Sequence, residues 1–363
     1  MGVKNILIAA GGTGGHIFPA EALAETLKRR GHHVYFATDV RGLRFVKNFP
    51  AHEVKLIDGA TVFSKSPMSV VKALYKIIKG VVQSVVYIRA KKIDIVVGFG
   101  GYPSFAPMMA GKLCGKPSVL HEQNAVLGRA NKLLAKFSKQ VALSFPKTKF
   151  AEAIGDKAVF IGNPLRSIVH ELKDTQYKPY IAGEKFNLVV FGGSQGAQVF
   201  NDILPAAMKK LPDDIRAKIN LVQQARQDNV ERLTELYDEL KMDAIIAPFF
   251  GDMPKLIANS HLVIGRAGAT TVAELCYIGI PSILVPLPGS LDGDQANNAK
   301  NIADIGGGWL CKQDEFTADY LAGKIQDWMR ASEPLTQAAQ NAKNLGQPKA
   351  AENLANLVEK YIG

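Results

Sequence analysis

From Asn5 the chain reads NILIAAGGTGGHIFPAEALAE, and from Asn187 it reads NLVVFGGSQGAQVFNDILPAA. Each stretch runs from an asparagine through a short apolar segment into a glycine cluster, then out into a helical pattern of apolar residues. A strand that turns through glycines into a helix opens a parallel α/β sheet, because parallel strands need a crossover and a helix supplies it. Its recurrence midway along the chain points to two such sheets rather than one large one.

Further short apolar segments at 4–10, 33–38, 93–98, 118–121 and 140–144 alternate with loops or helical patterns, and the alternation restarts after the polar, proline-bearing stretch 162–186. The expectation is an α/β protein of two Rossmann-like domains, residues 1–163 and 164–340, joined near 162–186. A chain of 363 residues exceeds what a single core usually supports, which agrees. Ligands of open parallel sheets sit beyond the carboxyl ends of the strands, so an interdomain cleft faced by both sheets is the expected site.

The chain is 47% hydrophobic and 21% charged, an ordinary globular balance. Its three cysteines, Cys114, Cys276 and Cys311, are odd in number and lack paired spacing, which argues against a disulfide framework or a zinc site and for thiols in a reducing compartment. Lys4 precedes an apolar run, but Gly11–Gly15 cut it short of an export signal. Residues 95–111 are uncharged, yet Gly98, Gly100, Gly101, Pro103 and Pro107 break them, so no transmembrane helix is expected.

The formal charge of +11 favours polyanionic partners: nucleic acid, anionic lipid or phosphorylated substrates. Neither finger spacing nor an aromatic RNA-binding strand is present, so nucleic acid is not expected. In SPMSVVKALYKIIKGVVQSVVYIRAKK (66–92), Val71, Leu74, Ile78, Val81 and Val85 recur at helical spacing, opposite Lys72, Lys76, Lys79 and Gln83. Such a helix ordinarily packs its apolar side on a sheet. Its other use is docking on an anionic membrane surface, where each lysine adds about 1 kcal/mol. Both hold if one edge packs and the other is exposed.

Glycines after a first strand let the backbone approach a phosphate, and the following helix points free N–H groups and the positive end of its dipole at the anion. GGTGG and GGSQG both suit that use; tight turning alone also explains glycines. Asp39 stands where a ribose-binding acid of a dinucleotide fold would, but Ile17 occupies the third glycine position after Gly12-x-Gly14, and the second half has no GxGxxG. GKLCGKPS (111–118) has the wrong spacing for a P-loop, which removes the main support for ordinary NTP hydrolysis.

Six motifs then stand in series: GGTGGHIFPA (11–20), GFGGYPS (98–104), HEQNAVLGRANK (121–132), GNPLR (162–166), GGSQGA (192–197) and GRAGATTVAEL (265–275). Together they resemble the family of bacterial peptidoglycan N-acetylglucosaminyltransferases, across both halves and in the expected order. The resemblance implies a GT-B fold and an enzyme that moves N-acetylglucosamine from UDP-GlcNAc to the C4 hydroxyl of the muramoyl sugar of lipid I, inverting the anomeric centre to give lipid II. It implies a peripheral protein on the cytoplasmic face of the bacterial inner membrane, with UDP-GlcNAc, the polyprenyl-diphosphate-linked acceptor and the anionic membrane surface as partners. It also implies that the tail 341–363, interrupted at Gly346 and Pro348, packs back on the first domain. A different glycolipid glycosyltransferase or a UDP-sugar epimerase would share the nucleotide half without needing GGTGGH together with HEQN.

Carried over by motif, Ser194 contacts the donor diphosphate, Arg166 supplies the compensating charge, and the backbone at Phe250 meets the uracil. Ala269, Thr270, Thr271, Val272 and Ala273 open a helix toward phosphate, and Glu274 accepts both ribose hydroxyls. Helix capping alone also accounts for the threonines. Gln295 and Asn124 hydrogen-bond the sugar, since an amide offers donor and acceptor together. Thr13, Gly14 and Gly15 line the cleft from the first half, and their loop is a candidate for the acceptor diphosphate.

Inversion needs a base for the acceptor's proton, and His16, one turn into the helix after the glycine loop, is the best candidate. A positioning role for it, and His121, Glu122 and Tyr102 as other polar lining groups, remain alternatives. Asp292-Gly293-Asp294 forms a DxD pair that holds a metal in another glycosyltransferase fold, but beside Arg166 it reads as coincidence. No metal and no cofactor are expected.

Overall fold

The structure, a computed structural model, describes residues 2–60, 67–193 and 196–363. It divides into two compact units, Met1–Ser167 with Lys349–Gly363, and Ile168–Pro348.

The first unit is a parallel sheet of seven strands: β1 (Asn5–Ala9), β2 (His33–Thr38), β3 (Glu53–Leu56), β4 (Ile95–Gly98), β5 (Ser118–Glu122), β6 (Gln140–Leu143) and β7 (Ala158–Phe160). Their order is β3-β2-β1-β4-β5-β6-β7. The apolar pattern does not mark β3 and β7. Both are edge strands; β3 alternates half-buried with exposed residues, and β7 is three residues long. The central strands are buried on both faces, which is why they read as continuous apolar runs.

One face packs Ile6, Ile8, Phe36, Ile95 and Val97 against Ile17, Leu23 and Leu27 of α1 (Gly14–Arg29). The opposite face packs Leu7, Val96, Leu120 and Val141 against α2 (Pro67–Ala90) and α3 (Gly101–Leu113), with the short α4 (Arg129–Leu134) following β5.

Helix α2 departs from the simplest reading of its periodicity. Val71, Leu74 and Ile78, expected on a packing face, point outward with Tyr75, Val82 and Val86, each at least 53% exposed. The buried side is instead Ala73, Gly80, Ser84, Tyr87 and Ile88. The reason is a close approach: a Cβ on Gly80 would lie 1.9 Å from the carbonyl oxygen of Asp58, so the helix must turn its glycine to that point. Lys79 Nζ pairs with Asp58 Oδ2 at 2.7 Å, while Lys72 and Lys76 are exposed beside the apolar stripe.

After the short α5 (Ser167–His170) the second unit forms a six-stranded parallel sheet of β8 (Phe186–Phe191), β9 (Ile219–Gln224), β10 (Asp243–Ala247), β11 (Leu262–Gly265), β12 (Ser282–Leu284) and β13 (Trp309–Leu310), ordered β10-β9-β8-β11-β12-β13. Around it lie α6 (Gln198–Lys210), α7 (Asp213–Arg216), α8 (Gln227–Glu239), α9 (Met253–Ala258), α10 (Ala269–Ile278), α11 (Asp294–Ala303), α12 (Ala318–Arg330) and α13 (Glu333–Leu345).

The chain rejoins the first unit as α14 (Ala350–Glu359), whose Leu354, Leu357 and Val358 complete the α1 face of that core. Arg30 fixes it by donating to Glu359 at 2.7 Å and Asn356 at 2.8 Å, and both Arg29 and Arg30 pair with Glu352. His32, nearly fully buried, meets Glu359 at 3.1 Å.

Candidate active site

In each sheet the chain reverses its winding between two neighbouring strands, β1 and β4 in the first unit, β8 and β11 in the second. Loops leaving such a pair in opposite directions open a crevice at the carboxyl ends, the usual ligand position. The two glycine clusters stand at these two points.

In the first unit, Gly11–Gly15 follow β1 and lead into α1, with Thr13 in extended conformation as the residue before the helix. Gly12 has φ +80, a conformation that favours glycine. The loop is clamped by Asp39 at the end of β2. Asp39 Oδ1 accepts from the backbone N–H of Gly12 and of Gly42, each at 3.0 Å, and Oδ2 accepts from the Tyr102 hydroxyl. Arg41 Nε donates to the same tyrosine oxygen at 2.9 Å and lies over its ring at 4.8 Å. Desolvation of the Asp39 carboxylate pushes its pKa up, but the donors from Tyr102, Gly12, Gly42 and Arg41 outweigh it and hold the group below its ordinary value. Asp39, whose sequence position suggests ribose binding, is thus spent on the loop's own backbone.

His16 sits in the first turn of α1, its Nδ1 3.1 Å from Thr13 Oγ1. A Cβ on Gly101, the first residue of α3 with φ +70, would lie 3.8 Å from His16 Nε2. The imidazole keeps a solvent-accessible edge but is otherwise enclosed, and desolvation lowers its pKa to about 4. At neutral pH the ring is uncharged, with a lone pair available.

His121, at the end of β5, is buried completely. Its Nε2 donates to the Gly162 carbonyl at 3.2 Å and its Nδ1 accepts from Gln123 Nε2 at 3.1 Å, which fixes one neutral tautomer. Burial, partly offset by the Gly162 bond, lowers its pKa to about 4. Glu122 is equally enclosed. It accepts from Asn124 N at 3.0 Å, Gly128 N at 2.9 Å and Asn131 Nδ2 at 2.8 Å, yet desolvation prevails and its pKa is raised. These groups shape the turn that presents Asn124, which is half-buried at its surface.

Arg166 belongs to the first unit, not to the half that follows it in sequence. Its guanidinium lies 4.3 Å over the ring of Phe18 in α1 and exerts a field on Glu21. The pull on Arg166 is local: a cation finds an aromatic face and a carboxylate on one helix turn.

In the second unit Ser194 lies outside the described residues. Around it, Gly192 is pinned by contact with the loop's return: a Cβ there would be 2.4 Å from Ala197 N. The loop delivers the chain to α6. After β11, α10 opens with Ala269, Thr270, Thr271, Val272 and Ala273 in its first turns and Glu274 buried in the next. Thr270 Oγ1 is buried and has no hydrogen-bond partner among the described residues, a state that a bound ligand's oxygen atom would relieve. Arg266 is committed: it donates to the carbonyls of Val285 and Pro286, both at 3.1 Å, and to Gln313 Oε1 at 2.7 Å. Buried Asn298 of α11 ties the same loop by donating to the Ala267 carbonyl at 3.0 Å.

Gln295, one residue into α11, accepts from Leu287 N at 2.9 Å, and its Nε2 makes no hydrogen bond among the described residues. The neighbouring acids serve local geometry: Asp292 takes a left-handed φ of 54, and Asp294 accepts from the N–H of Gln295 at 2.6 Å. Among the described residues no cluster of three or more His, Cys, Asp or Glu could hold a metal. Phe250 is half-buried and follows β10, the edge strand of the second sheet.

Sequence reasoning missed the Asp39–Tyr102–Arg41 clamp, because its members meet only when β2 and β4 flank β1. It missed Arg266 and Asn298 for the same reason, although both lie within or near motif residues.

Two parallel α/β units with a glycine loop at each switch point are the parts of the GT-B fold, shared by glycosyltransferases that use nucleotide sugars. The chain belongs to glycosyltransferase family 28: residues 6–143 match the family's N-terminal domain and residues 187–354 its C-terminal domain. It is 46% identical over 354 residues to the UDP-N-acetylglucosamine–N-acetylmuramyl-(pentapeptide) pyrophosphoryl-undecaprenol N-acetylglucosamine transferase of Allorhizobium ampelinum, covering 98% of this chain and 94% of the relative. The enzyme of the same description from Rhizobium etli is 45% identical with the same coverage. Among solved structures, MurG of Acinetobacter baumannii is similar with a TM-score of 0.80 and 32% identity, over 98% of this chain and 99% of that one.

Proposed function

We infer that this protein transfers N-acetylglucosamine from UDP-GlcNAc to lipid I, forming lipid II for peptidoglycan. The observation that carries the reading is the end-to-end similarity to enzymes of that description, 46% identical over 98% of the chain, with a glycine loop at each switch point.

In the chemistry proposed here, His16 takes the proton of the acceptor C4 hydroxyl as its oxygen attacks C1 of the sugar from the face opposite the leaving group. The C1–O bond to the diphosphate breaks, its electron pair leaves with UDP, and the anomeric centre inverts. The N-termini of α6 and α10 face the growing charge with unpaired N–H groups, and Arg166 adds a cation. Thr13, Gly14 and Gly15 line the acceptor side, Asn124 and Gln295 bind sugar hydroxyls, Ser194 and Ala269–Ala273 the diphosphate, Glu274 the ribose and the Phe250 backbone the uracil.

The deciding experiment is UDP release from UDP-GlcNAc with and without a lipid I analogue, in EDTA. Acceptor-dependent release is expected, and it should survive the chelator. Release without acceptor would instead indicate hydrolysis of the donor, conversion of UDP-GlcNAc to an isomeric UDP-sugar without net release would indicate an epimerase, and turnover lost in EDTA but restored by magnesium would give Asp292 and Asp294 a metal role.

The proposal extends to location: a peripheral protein on the cytoplasmic face of the inner membrane. Among the described residues no helix is long and apolar enough to cross a membrane. The outward stripe Val71, Tyr75, Ile78, Val82 and Val86 beside Lys72 and Lys76 supports docking through α2. Replacing Val71, Ile78 and Val82 together with serine is expected to weaken binding to phosphatidylglycerol vesicles by about 100-fold or more, since each side chain forfeits about 1 kcal/mol or more of burial. The control is turnover on a soluble acceptor, which should be unchanged. Equal vesicle binding by the triple variant would exclude this face.

A further inference from the structure

Apart from Arg166 of the first unit, the second unit carries an arginine of its own beside its glycine loop. Beyond the carboxyl ends of β8, β9 and β10 lies an open depression of about 730 Å³, lined by Gly196, Gln224, Arg226, Gln227, Asp228 and Pro248. Gln224 Nε2 donates to the Pro248 carbonyl at 3.1 Å, which fastens the two outer walls together.

Arg226 connects this depression to the glycine loop. Gly196 has φ +69, and a Cβ on it would lie 2.9 Å from Arg226 Cγ. The stem of the arginine thus lies against the end of the GGSQG turn, and a larger residue at 196 would push it off. Arg226 Nε stands 3.6 Å from Asp228 Oδ1, with both side chains 65% exposed. A pair so long and so exposed to solvent competes weakly with a phosphate for the guanidinium. Arg266, the other arginine close to these loops, is spent on two carbonyls and an amide.

Resting on the reading that this unit holds UDP-GlcNAc, we propose that Arg226 binds the donor's diphosphate through its guanidinium, and that Asp228 restrains it in the empty site. The planar fork of an arginine suits two phosphate oxygens at once, where a lysine offers a point charge. The anchored stem limits the conformations that binding must freeze out.

The test is titration of UDP, and separately of uridine, into wild type, R226Q, R226K and D228N. R226Q should weaken UDP by about 10- to 100-fold, the range for losing a hydrogen-bonded charge partner, with uridine unaffected. R226K should recover only part of the loss. D228N should tighten UDP by a few fold, a gain that damage to the fold could not produce. In turnover, R226Q should raise KM for UDP-GlcNAc far more than it lowers kcat. Unchanged UDP affinity in R226Q, or equal losses for UDP and uridine, would overturn the assignment while leaving the donor site intact. A wild type that binds no UDP would overturn the underlying reading with it.

Discussion

His16→Ala is expected to lower kcat by about 10²- to 10⁴-fold, the usual contribution of a positioned base, with KM for UDP-GlcNAc nearly unchanged. The pH dependence makes the assignment specific. Enclosure depresses the imidazole pKa to about 4, so the proton-accepting form persists well below the ordinary histidine range. The acid limb of kcat/KM should therefore lie near pH 4 to 5, not near 6.5, and should vanish in the variant. A group with so low a pKa is a weak base in the free enzyme. Binding an anionic diphosphate beside Thr13–Gly15 would favour the imidazolium and raise the value toward the working pH, so the limb of kcat should move upward from that of kcat/KM. If H16A turned over at the wild-type rate, the histidine would be a structural part of the turn and nothing more.

The same shift has a consequence for stability. His16 and His121 both have folded-state values lowered from 6.5 to about 4, so between those pH values the unfolded chain binds protons that the folded chain does not. Their contribution is fully present above pH 6.5 and is lost as pH falls toward 4. The melting temperature of the first unit should drop across that window, and less in H16A than in wild type.

What could be read from the sequence follows the range of the interactions involved. The glycine loops, the central strands and the position of His16 depend on local order: an apolar run, a turn that needs glycine, a helix start. All three are visible in a dozen residues. The edge strands β3 and β7 are not, because an edge strand lacks the continuous apolar run that burial on two faces imposes. Helix α2 was legible as apolar and basic but not as to which side packs. That choice rests on how closely Gly80 passes the Asp58 carbonyl, whose oxygen lies 1.9 Å from where a Cβ on Gly80 would stand, a contact between elements. Asp39 shows the same limit at the site. Its spacing from the glycine loop suits a ribose ligand, and only the pairing of β2 beside β1 brings its carboxylate to the Gly12 N–H. Arg166 follows the rule too, since adjacency in sequence to the second domain gave no hint of the Phe18 ring that holds it on α1.

Gly192→Ala should be the most damaging single change to donor binding. A methyl group there would lie 2.4 Å from Ala197 N and 2.5 Å from the carbonyl carbon of Gly196. Both are backbone atoms, so no side chain can swing aside, and the loop between β8 and α6 must open to admit it. Opening it moves the N–H groups at the start of α6 away from where a diphosphate would meet them. Overpacking of this kind costs about 3 kcal/mol, which corresponds to a loss of at least about 100-fold in UDP-GlcNAc affinity. Gly193 supplies the control within the same loop. Its φ of +76 strains an alanine, but no atom of the described residues lies within 4 Å of the added methyl. Gly193→Ala should therefore cost only about 1 kcal/mol, roughly fivefold in affinity. The ordering of the two variants matters more than either value, because a general loss of stability would weaken both alike. UDP titration against a lipid I binding assay reads it directly: acceptor binding by the first unit should survive in both. Wild-type UDP affinity in Gly192→Ala would mean that this loop turns the chain without holding the donor.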